Sequence, residues 1–495
     1  MASRSSSVAA LAEVVGGRVL GDPTVTVRDV THDSRQAGPG TMFAAVVGSR
    51  ADGHDFVEAA VGAGSPAVLV QRECPTDATQ LVVEDVREAM GPVAAEVHGH
   101  PSRRLSLVGV TGTNGKTTVT HMVEAIGIAA GRQAGLIGTV HTRVGSNSIP
   151  NTRTTPEATD FQRLLATMVR MGAEIVSAEV SSHALAMHRV EAARFAVAAF
   201  TNLSQDHLDF HGDMESYFLA KARLFEPDLS ERAVVWVDDP AGERLTRSMT
   251  IPYLTVGADA EVTARNRRVG VDGSRFVLAT PEGEVDVELP LGGDFNIDNA
   301  LIAAGCALSL SIPLESIAAG LRDFRGVPGR FEVVSGDATV TVLVDYAHTP
   351  ASIANAIASV RETGRGEWVS DGGTRRLIVV FGAGGDRDRA KRPQMGWEAM
   401  AADEVIVTSD NPRSEPPEAI IEEVVSGVDD PSRVRRLVDR REAIGAAIEM
   451  ARDGDVVLIL GRGHERGQEV QGRILPFDDR LVAREALIEQ GRIEP

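Results

Sequence analysis

The chain has 495 residues, too long for one ordinary core, and is expected to fold as about three domains. Its formal charge of −20 argues against a nucleic-acid-binding surface and against a polybasic membrane patch. Two cysteines, Cys74 and Cys306, exclude a disulfide framework, and no apolar run is long enough to span a bilayer. The start, Met-Ala-Ser-Arg-Ser-Ser-Ser, leads into a short apolar stretch interrupted by Glu13 and reads as a poor signal peptide. A cytoplasmic protein without stable membrane insertion is expected.

In chain order, a first region over 1–101 mixes short strands (Met42–Val47, Ala67–Val70) with helical stretches and ends near Gly-His-Pro-Ser-Arg-Arg (99–104), read as a linker. A pattern then recurs in which a short apolar run stops at a polar, glycine-rich or acidic segment. Leu105–Val110 runs into Thr-Gly-Thr-Asn-Gly-Lys, Ile175–Val180 into Ser-Ser-His, and Ala196–Phe200 into Thr-Asn-Leu-Ser-Gln-Asp-His. Val340–Val344 runs into Asp-Tyr-Ala-His, Leu377–Phe381 into Gly-Ala-Gly-Gly-Asp-Arg, Val405–Thr408 into Ser-Asp-Asn-Pro-Arg, and Val456–Leu460 into Gly-Arg-Gly-His-Glu. Helical stretches such as Thr117–Ala130, Met214–Leu224 and Pro417–Val425 lie between them. Alternating strand and helix predicts an α/β protein with parallel sheets, which bind ligands beyond the carboxyl ends of their strands. A boundary near 333 divides the remainder into regions 102–332 and 333–495, two α/β domains facing each other across a cleft.

Only three lysines occur, Lys116, Lys221 and Lys391, against 47 arginines. Where arginine serves for any cation, a surviving lysine marks chemistry that arginine cannot perform. Lys116 lies in Thr-Gly-Thr-Asn-Gly-Lys-Thr-Thr (111–118), a loop of the phosphate-cradling kind, with Gly112, Thr113, Asn114, Gly115 and Thr118 supplying backbone and hydroxyl groups. Lys116 would reach terminal phosphates and the Thr117 hydroxyl would ligate Mg²⁺, although Val110 stands where the strict pattern has its first glycine. Glu179 suits a Mg²⁺ ligand at a neighbouring strand end. The segment 202–213 holds Asn202, Asp206, His207, Asp209, His211 and Asp213, whose carboxylates favour a hard cation over zinc. Lys221 reads either as an ordinary lysine on the helix over 214–224 or, carbamylated, as an anionic oxygen ligand. Asn296, Asn299, Asp345, Tyr346 and His348 would touch a nucleotide or merely cap turns. Asp410-Asn411-Pro412-Arg413 presents an acid, an amide and a guanidinium, equipment for a zwitterionic amino acid, or a helix cap before Glu418.

Taken together and in order, the 111–118 loop, Thr154-Thr155-Pro156, Glu179-Val-Ser-Ser-His183, Thr201-Asn-Leu203 with Asp206-His207, Lys221, Asp345-Tyr-Ala-His348, Asp410-Asn-Pro-Arg413 and Gly461-Arg-Gly-His-Glu465 resemble the Mur ligases over essentially the whole chain. The likeness is specifically to the branch that adds the third residue of the peptidoglycan stem peptide. The resemblance implies an N-terminal domain for the UDP end, a central P-loop ATPase domain and a C-terminal Rossmann-like domain. It implies ATP-driven amide ligation on UDP-N-acetylmuramoyl-L-alanyl-D-glutamate through an acyl phosphate. Thr117, Glu179, His207 and carbamylated Lys221 would hold or position two Mg²⁺ ions. Asn299, Arg330 and Asp345 resemble contacts to adenine, phosphate and ribose. Ser34, Thr154, Thr155, Ser181, Arg189 and Lys221 resemble contacts to the UDP-muramoyl dipeptide. Arg387, Asp410, Asn411, Arg413, Gly461 and Glu465 would receive the amino acid, expected to be meso-diaminopimelate rather than L-lysine because Arg413 gains from the extra carboxylate. Two positions depart from the family pattern: Met187 stands where some relatives carry Gln, and Ala351 where an Asp is common. Lys391 falls at a family lysine, and the role expected for it is phosphate binding. A P-loop phosphotransferase without ligation, a non-catalytic nucleotide-binding scaffold and a folylpolyglutamate-synthase-like ligase compete with this reading. The first leaves Asp410–Arg413 and Lys221 without a task, intact Lys116, Glu179 and His207 speak against the second, and Asp410–Arg413 points away from the third.

Overall fold

The structure, a computed structural model, describes residues 5–48, 51–149, 153–270, 272–362 and 375–494; residues 1–4 of the N-terminal stretch read above lie outside them. Three β-sheets organise the chain. The first has five strands in the order Arg18–Leu20, Thr79–Val82, Ala67–Val70, Thr41–Ala44 and Asp29–Thr31, all parallel except at the Arg18–Leu20 edge. The second has eight, in the order Asn147–Ser148, Thr142–Val144, Ala134–Ile137, Ile175–Glu179, Ser106–Thr111, Val197–Phe200, Ala233–Trp236 and Tyr253–Val256. Its six central and distal strands are parallel, and an antiparallel hairpin closes the other edge. The third has six, in the order Glu332–Val333, Thr341–Asp345, Val456–Leu460, Leu377–Phe381, Glu404–Val407 and Val434–Arg436. The expected mixed α/β architecture with mostly parallel sheets is therefore observed.

Strands buried on both faces read as unbroken apolar runs, and Val456–Leu460 and Leu377–Phe381 are buried at every residue. Helices Lys116–Ala129, Asp294–Ser309 and Leu314–Asp323 cover one face of the eight-stranded sheet, around Val110, Met122, Ile297 and Leu301. Helix Ala158–Arg170 packs on the other, around Phe161, Leu165 and Val176. The boundary of the first region is not an open linker. Gly99 and His100 both take left-handed conformations and feed a 3-10 turn, Pro101–Arg104, in which Pro101 and Ser102 are buried. The strand expected over 42–47 stops at Ala44, because the chain turns back so that Val47 bridges Asp52. The helix expected over 214–224 is α-helical over Met214–Ala222 and tightens into a 3-10 turn, Arg223–Phe225.

Two elements were not foreseen. A three-stranded antiparallel sheet (Thr263–Val269, Ser274–Thr280, Gly283–Leu289) caps the helical face with Phe276, Leu278, Val287 and Leu289. A hairpin (Gly467–Val470, Arg473–Pro476) follows the last parallel strand. Among the described residues no helix is long and apolar enough to cross a membrane.

The polar segments fall where parallel sheets bind ligands. The loops after Thr111, Glu179 and Phe200 open from adjacent strands of the eight-stranded sheet, and those after Asp345, Phe381, Val407 and Leu460 from the six-stranded sheet.

Candidate active site between the two parallel sheets

The loop 112–115 turns through Gly112 and Gly115, both at positive φ, 148° and 85°. A Cβ on Gly115 would collide with the Asn299 amide oxygen, so only glycine lets the loop lie against the helix Asp294–Ser309. Gly115 also caps the helix Lys116–Ala129 without any side-chain bond, which leaves the first backbone N–H groups free to meet an anion. Lys116 Nζ folds onto the carbonyls of Gly112 and Thr113, at 2.9 and 2.8 Å. Burial holds its pKa below the ordinary lysine value. The Thr117 hydroxyl donates to Glu179 Oε2 at 2.9 Å and accepts from Arg330 Nη2 at 3.1 Å. Glu179 also accepts from Thr139 N and Oγ1. Arg330 Nε is buried without a partner, a donor that an incoming phosphate would satisfy. Ammonium, guanidinium, bare helix terminus and an adjacent hydroxyl–carboxylate pair fit a nucleotide triphosphate with Mg²⁺. Among the described residues no group of three or more His, Cys, Asp or Glu is arranged to hold a metal ion. Mg²⁺ bound beside phosphate usually takes only one or two protein ligands.

Lys221 is 1% exposed and sends Nζ to the same Gly112 carbonyl as Lys116, at 2.8 Å, with the Tyr217 ring 4.4 Å away. Burial, reinforced by the Lys116 charge, drives its pKa well below the usual lysine range. His207 sits in the left-handed region (φ 56°) after the loop that follows Phe200. Its ring meets His183 edge-on at 4.7 Å, and Nε2 lies 3.3 Å from Asp206 Oδ2. Loss of water in the cleft pushes its pKa down to about 3, so the imidazole is neutral and able to coordinate a metal.

A cleft of about 360 Å³ runs between the sheets, lined by Asn114, Gly115, Thr118, Asn296, Asn299, Arg330, Asp345 and Tyr346. Asn299 Nδ2 donates to Asn296 Oδ1 at 3.2 Å, and Asn296 Nδ2 to Gly292 O, so the pair is oriented before any base arrives. Both Asp345 oxygens accept backbone N–H groups, from Phe331 and Ala347 at 2.8 Å, and burial raises its pKa. The Arg330 guanidinium stacks over Tyr346 at 4.4 Å. Ala351 lines this cleft.

Thr154 and Thr155 meet the strand end of Glu179. Thr154 Oγ1 lies 2.9 Å from Thr139 Oγ1, and Thr155 Oγ1 donates to Glu179 O at 2.8 Å and accepts from Ser181 N. Arg189 reaches the Thr155 carbonyl, Glu157 and the sulfur of Met187, at 3.4, 3.0 and 3.3 Å. Met187 thus serves as a soft acceptor. Ser34 stands apart, in the 3-10 turn Ser34–Gln36 capped by Asp33. Among the described residues no hydrogen bond joins its side chain to the other expected substrate contacts.

On the far side, Gly461 (φ 115°) lets Asp410 approach, since a Cβ there would lie 2.6 Å from Asp410 Oδ2. The Asn411 amide oxygen is fully committed. It accepts from Arg462 Nη1 (3.0 Å) and Glu469 N (2.8 Å), and the amide nitrogen donates to Glu465 Oε2 (2.7 Å). An acceptor for an ammonium group is therefore Glu465, with Asp410 close by, and not Asn411. Burial raises the Glu465 pKa, with Asp410 adding to it. Arg413, at φ 51°, donates to Gly385 O at 2.5 Å and pairs with Glu469 at 3.4 Å. The hairpin thus supplies Glu469 as a partner to Arg413 before any substrate carboxylate arrives. Arg387 is exposed beside Gly384.

Sequence reasoning missed an acidic centre between the sheets. Asp206 Oδ1 lies 3.5 Å from Lys391 Nζ, and Oδ2 lies 3.9 Å from His348 Nε2. The cations around it hold the Asp206 pKa low despite burial. The scarcity of lysine singled out Lys391, but a partner 185 positions away left no local signal. Arg462 and Glu469 were missed likewise.

Three domain families cover most of the chain: "Mur ligase family, catalytic domain" over 26–100, "Mur ligase middle domain" over 110–307 and "Mur ligase, glutamate ligase domain" over 329–463. A UDP-N-acetylmuramoyl-L-alanyl-D-glutamate–2,6-diaminopimelate ligase of Geobacillus kaustophilus is 44% identical over 95% of this chain and 96% of its own. The protein of that name from Streptomyces coelicolor is 42% identical over 94% and 93%. A solved structure of a ligase with the same name aligns at TM-score 0.69 and 32% identity over 99% of this chain and 100% of its own. MurF of Acinetobacter baumannii shares the fold at TM-score 0.69 and 20% identity, over 99% of each chain. With the glycine loop 112–115, the buried Lys221 and the facing turn 410–413 on the two sheets, these likenesses establish that the chain belongs to the Mur ligase family.

Proposed function

We propose that this Mur ligase uses ATP to join meso-diaminopimelate to the D-glutamyl carboxylate of UDP-N-acetylmuramoyl-L-alanyl-D-glutamate. The observation that carries the choice of amino acid is the placement of the Arg413 guanidinium, partnered by Glu469, near the half-buried Glu465 carboxylate and the buried Asp410 carboxylate on the loops of the six-stranded sheet. A receptor with both signs of charge matches a zwitterionic end group. The names and full-length identity of the relatives support the same substrates.

The chemistry follows from the groups present. The D-glutamyl carboxylate attacks the γ-phosphorus and ADP leaves, giving an acyl phosphate. The amine then attacks the acyl carbon, and the tetrahedral adduct expels phosphate. Lys116 and Arg330 neutralise charge on the transferring phosphoryl group, and the free N–H groups after Gly115 hold its oxygens. Asn299 and Asp345 orient the nucleotide, with Thr118 beside them. Mg²⁺, at two positions held by Thr117 and Glu179 and by His207 and Lys221, would supply charge neutralisation at the phosphates. Lys221, kept as a neutral amine by its surroundings, adds to carbon dioxide, forming an N–C bond and losing a proton. The carbamate anion would relieve the crowding of Lys221 against Lys116. Thr154, Thr155, Ser181 and Arg189 line the route to the carboxylate, and Ser34 is assigned to the UDP end. The cytoplasm is the compartment where these soluble substrates and ATP meet.

The test is phosphate release with the UDP-muramoyl dipeptide, ATP and a panel of amino acids. Turnover with meso-diaminopimelate and little with L-lysine or L-glutamate is expected. Equal use of L-lysine would overturn the reading of the turn at 410–413, and ATP consumption without any amino acid would overturn ligation itself.

A further inference from the structure

Burying a guanidinium is costly unless its charge is paired and most of its donors are bonded. Yet among the described residues the three largest fully buried side chains are arginines: Arg392, Arg440 and Arg462. All three lie behind the loops of the six-stranded sheet that carry the amino-acid turn. Arg440 grips Asp479 through two bonds, at 2.8 and 2.7 Å, and ties down the carbonyls of Ser409 and Leu460. It fixes the backbone just before the turn 410–413 and, on a separate strand, just before Gly461.

Arg462 does something more specific. It holds Gly467 O with one nitrogen (2.8 Å) and Asn411 Oδ1 with the other (3.0 Å). The Glu469 N–H reaches the same amide oxygen at 2.8 Å. Two donors on that oxygen forbid the flipped amide, which would bring N–H against N–H. Asn411 Nδ2 must therefore point at Glu465, and it donates to Oε2 at 2.7 Å. The guanidinium itself lies 3.9 Å from that carboxylate. A single buried cation thus sets the direction of an amide, and the amide sets the direction of the carboxylate.

We infer that Arg462 is a positioning residue for substrate choice, acting through Asn411 to hold Glu465 as the receptor for the far ammonium group of the amino-acid substrate. The inference rests on the reading of this site as a diaminopimelate receptor. What it adds to that receptor is Arg462, linked to Glu465 through an Asn411 amide whose oxygen is already taken.

The test compares meso-diaminopimelate with L-2-aminopimelate, which keeps the far carboxylate and lacks the far amine. A site built to bond a polar group rejects the analogue lacking it by about a hundredfold or more. In wild type that preference is expected in kcat/KM. In Arg462→Met it should fall to about tenfold or less, through a raised KM for diaminopimelate, with the KM values for ATP and the UDP-dipeptide within about twofold. Arg462→Lys should recover part of the preference. If Arg462→Met fails to fold, Asn411→Leu carries the test, since it cuts the link and leaves Arg462 in place. Should these variants slow both amines equally, leaving the ratio unchanged, Arg462 serves the fold alone and the inference is overturned. Should wild type release no phosphate with diaminopimelate, the reading of the site itself falls, and this assignment with it.

Discussion

Lys116 and Lys221 converge on one carbonyl, that of Gly112, at 2.9 and 2.8 Å, and two full positive charges so close are untenable in a buried site. The relief is for Lys221 to be neutral or, as proposed, to become a carbamate. Lys221→Arg keeps a cation there permanently and cannot be modified. Its kcat should fall at least about a hundredfold, with no rescue by bicarbonate, because about 3 kcal/mol of charge placement is lost. A wild-type rate in Lys221→Arg would refute the carbamate, and ¹³C NMR of protein equilibrated with labelled bicarbonate would detect it directly. On the opposite rim, Arg413→Ala should raise the KM for diaminopimelate by about tenfold to a hundredfold. The upper limit is set by Glu469, which keeps the guanidinium partnered when the substrate carboxylate is missing. Sequence exposed these residues unevenly. Lys116, Glu179 and Lys221 were legible because each sits in or beside a short polar segment at a strand end. Glu469 and Arg462 were not, because a hairpin glutamate and one arginine among 47 look like surface residues until the fold buries or pairs them.

The helix Lys116–Ala129 carries the phosphate loop and also a pH sensitivity. His121, 3% exposed, donates Nδ1–H to Thr117 O at 2.7 Å. Burial holds its pKa at about 3, against about 6.5 in an unfolded chain. Between those values the unfolded chain takes up a proton that the folded one refuses. The contribution is complete above about pH 6.5 and is lost as the pH falls toward about 3, by about 1.4 kcal/mol per pH unit. Denaturant unfolding at pH 7, 6 and 5 should show stability declining on acidification, and His121→Gln should flatten the slope by about one proton. An unchanged slope would mean that the ring charges freely in the folded state. At this scale the sequence was a good guide where apolar runs were long and continuous, as in Val456–Leu460. It failed over 263–289, where strands such as Gly283–Leu289 alternate exposed and buried residues and carry many charges, so the run never looked like a core element.

Across the whole molecule, the site is divided between two sheets. Lys116, Glu179, His207 and Lys221 belong with the eight-stranded sheet, and Asp345, Asp410, Arg413 and Glu465 with the six-stranded one. Asp206 joins them by facing Lys391 and His348. The two domains are expected to close on ligand across this contact; removing one partner of a buried pair strands the other charge and costs several kcal/mol, so Asp206→Asn should weaken that closure. Small-angle scattering with an ATP analogue and the UDP-dipeptide should show a smaller radius of gyration for wild type than for Asp206→Asn. A wild-type radius that does not respond to the ligands would count against closure. The three-part α/β layout was readable from strand–helix alternation, but the contact that joins the parts was not, since residues 206 and 391 have no local pattern in common.

The burial of the lysines has a practical outcome. Lys116 lies half-buried in the phosphate loop, and Lys221 and Lys391 are 1% and 7% exposed, so no side-chain amine stands on the outer surface. Reagents that acylate amines, and enzymes that tag proteins at lysine, find no side-chain target except inside the cleft. A single acylation event would therefore report on whether the cleft is filled, and protection by nucleotide and UDP-dipeptide would give an occupancy assay that needs no engineered label.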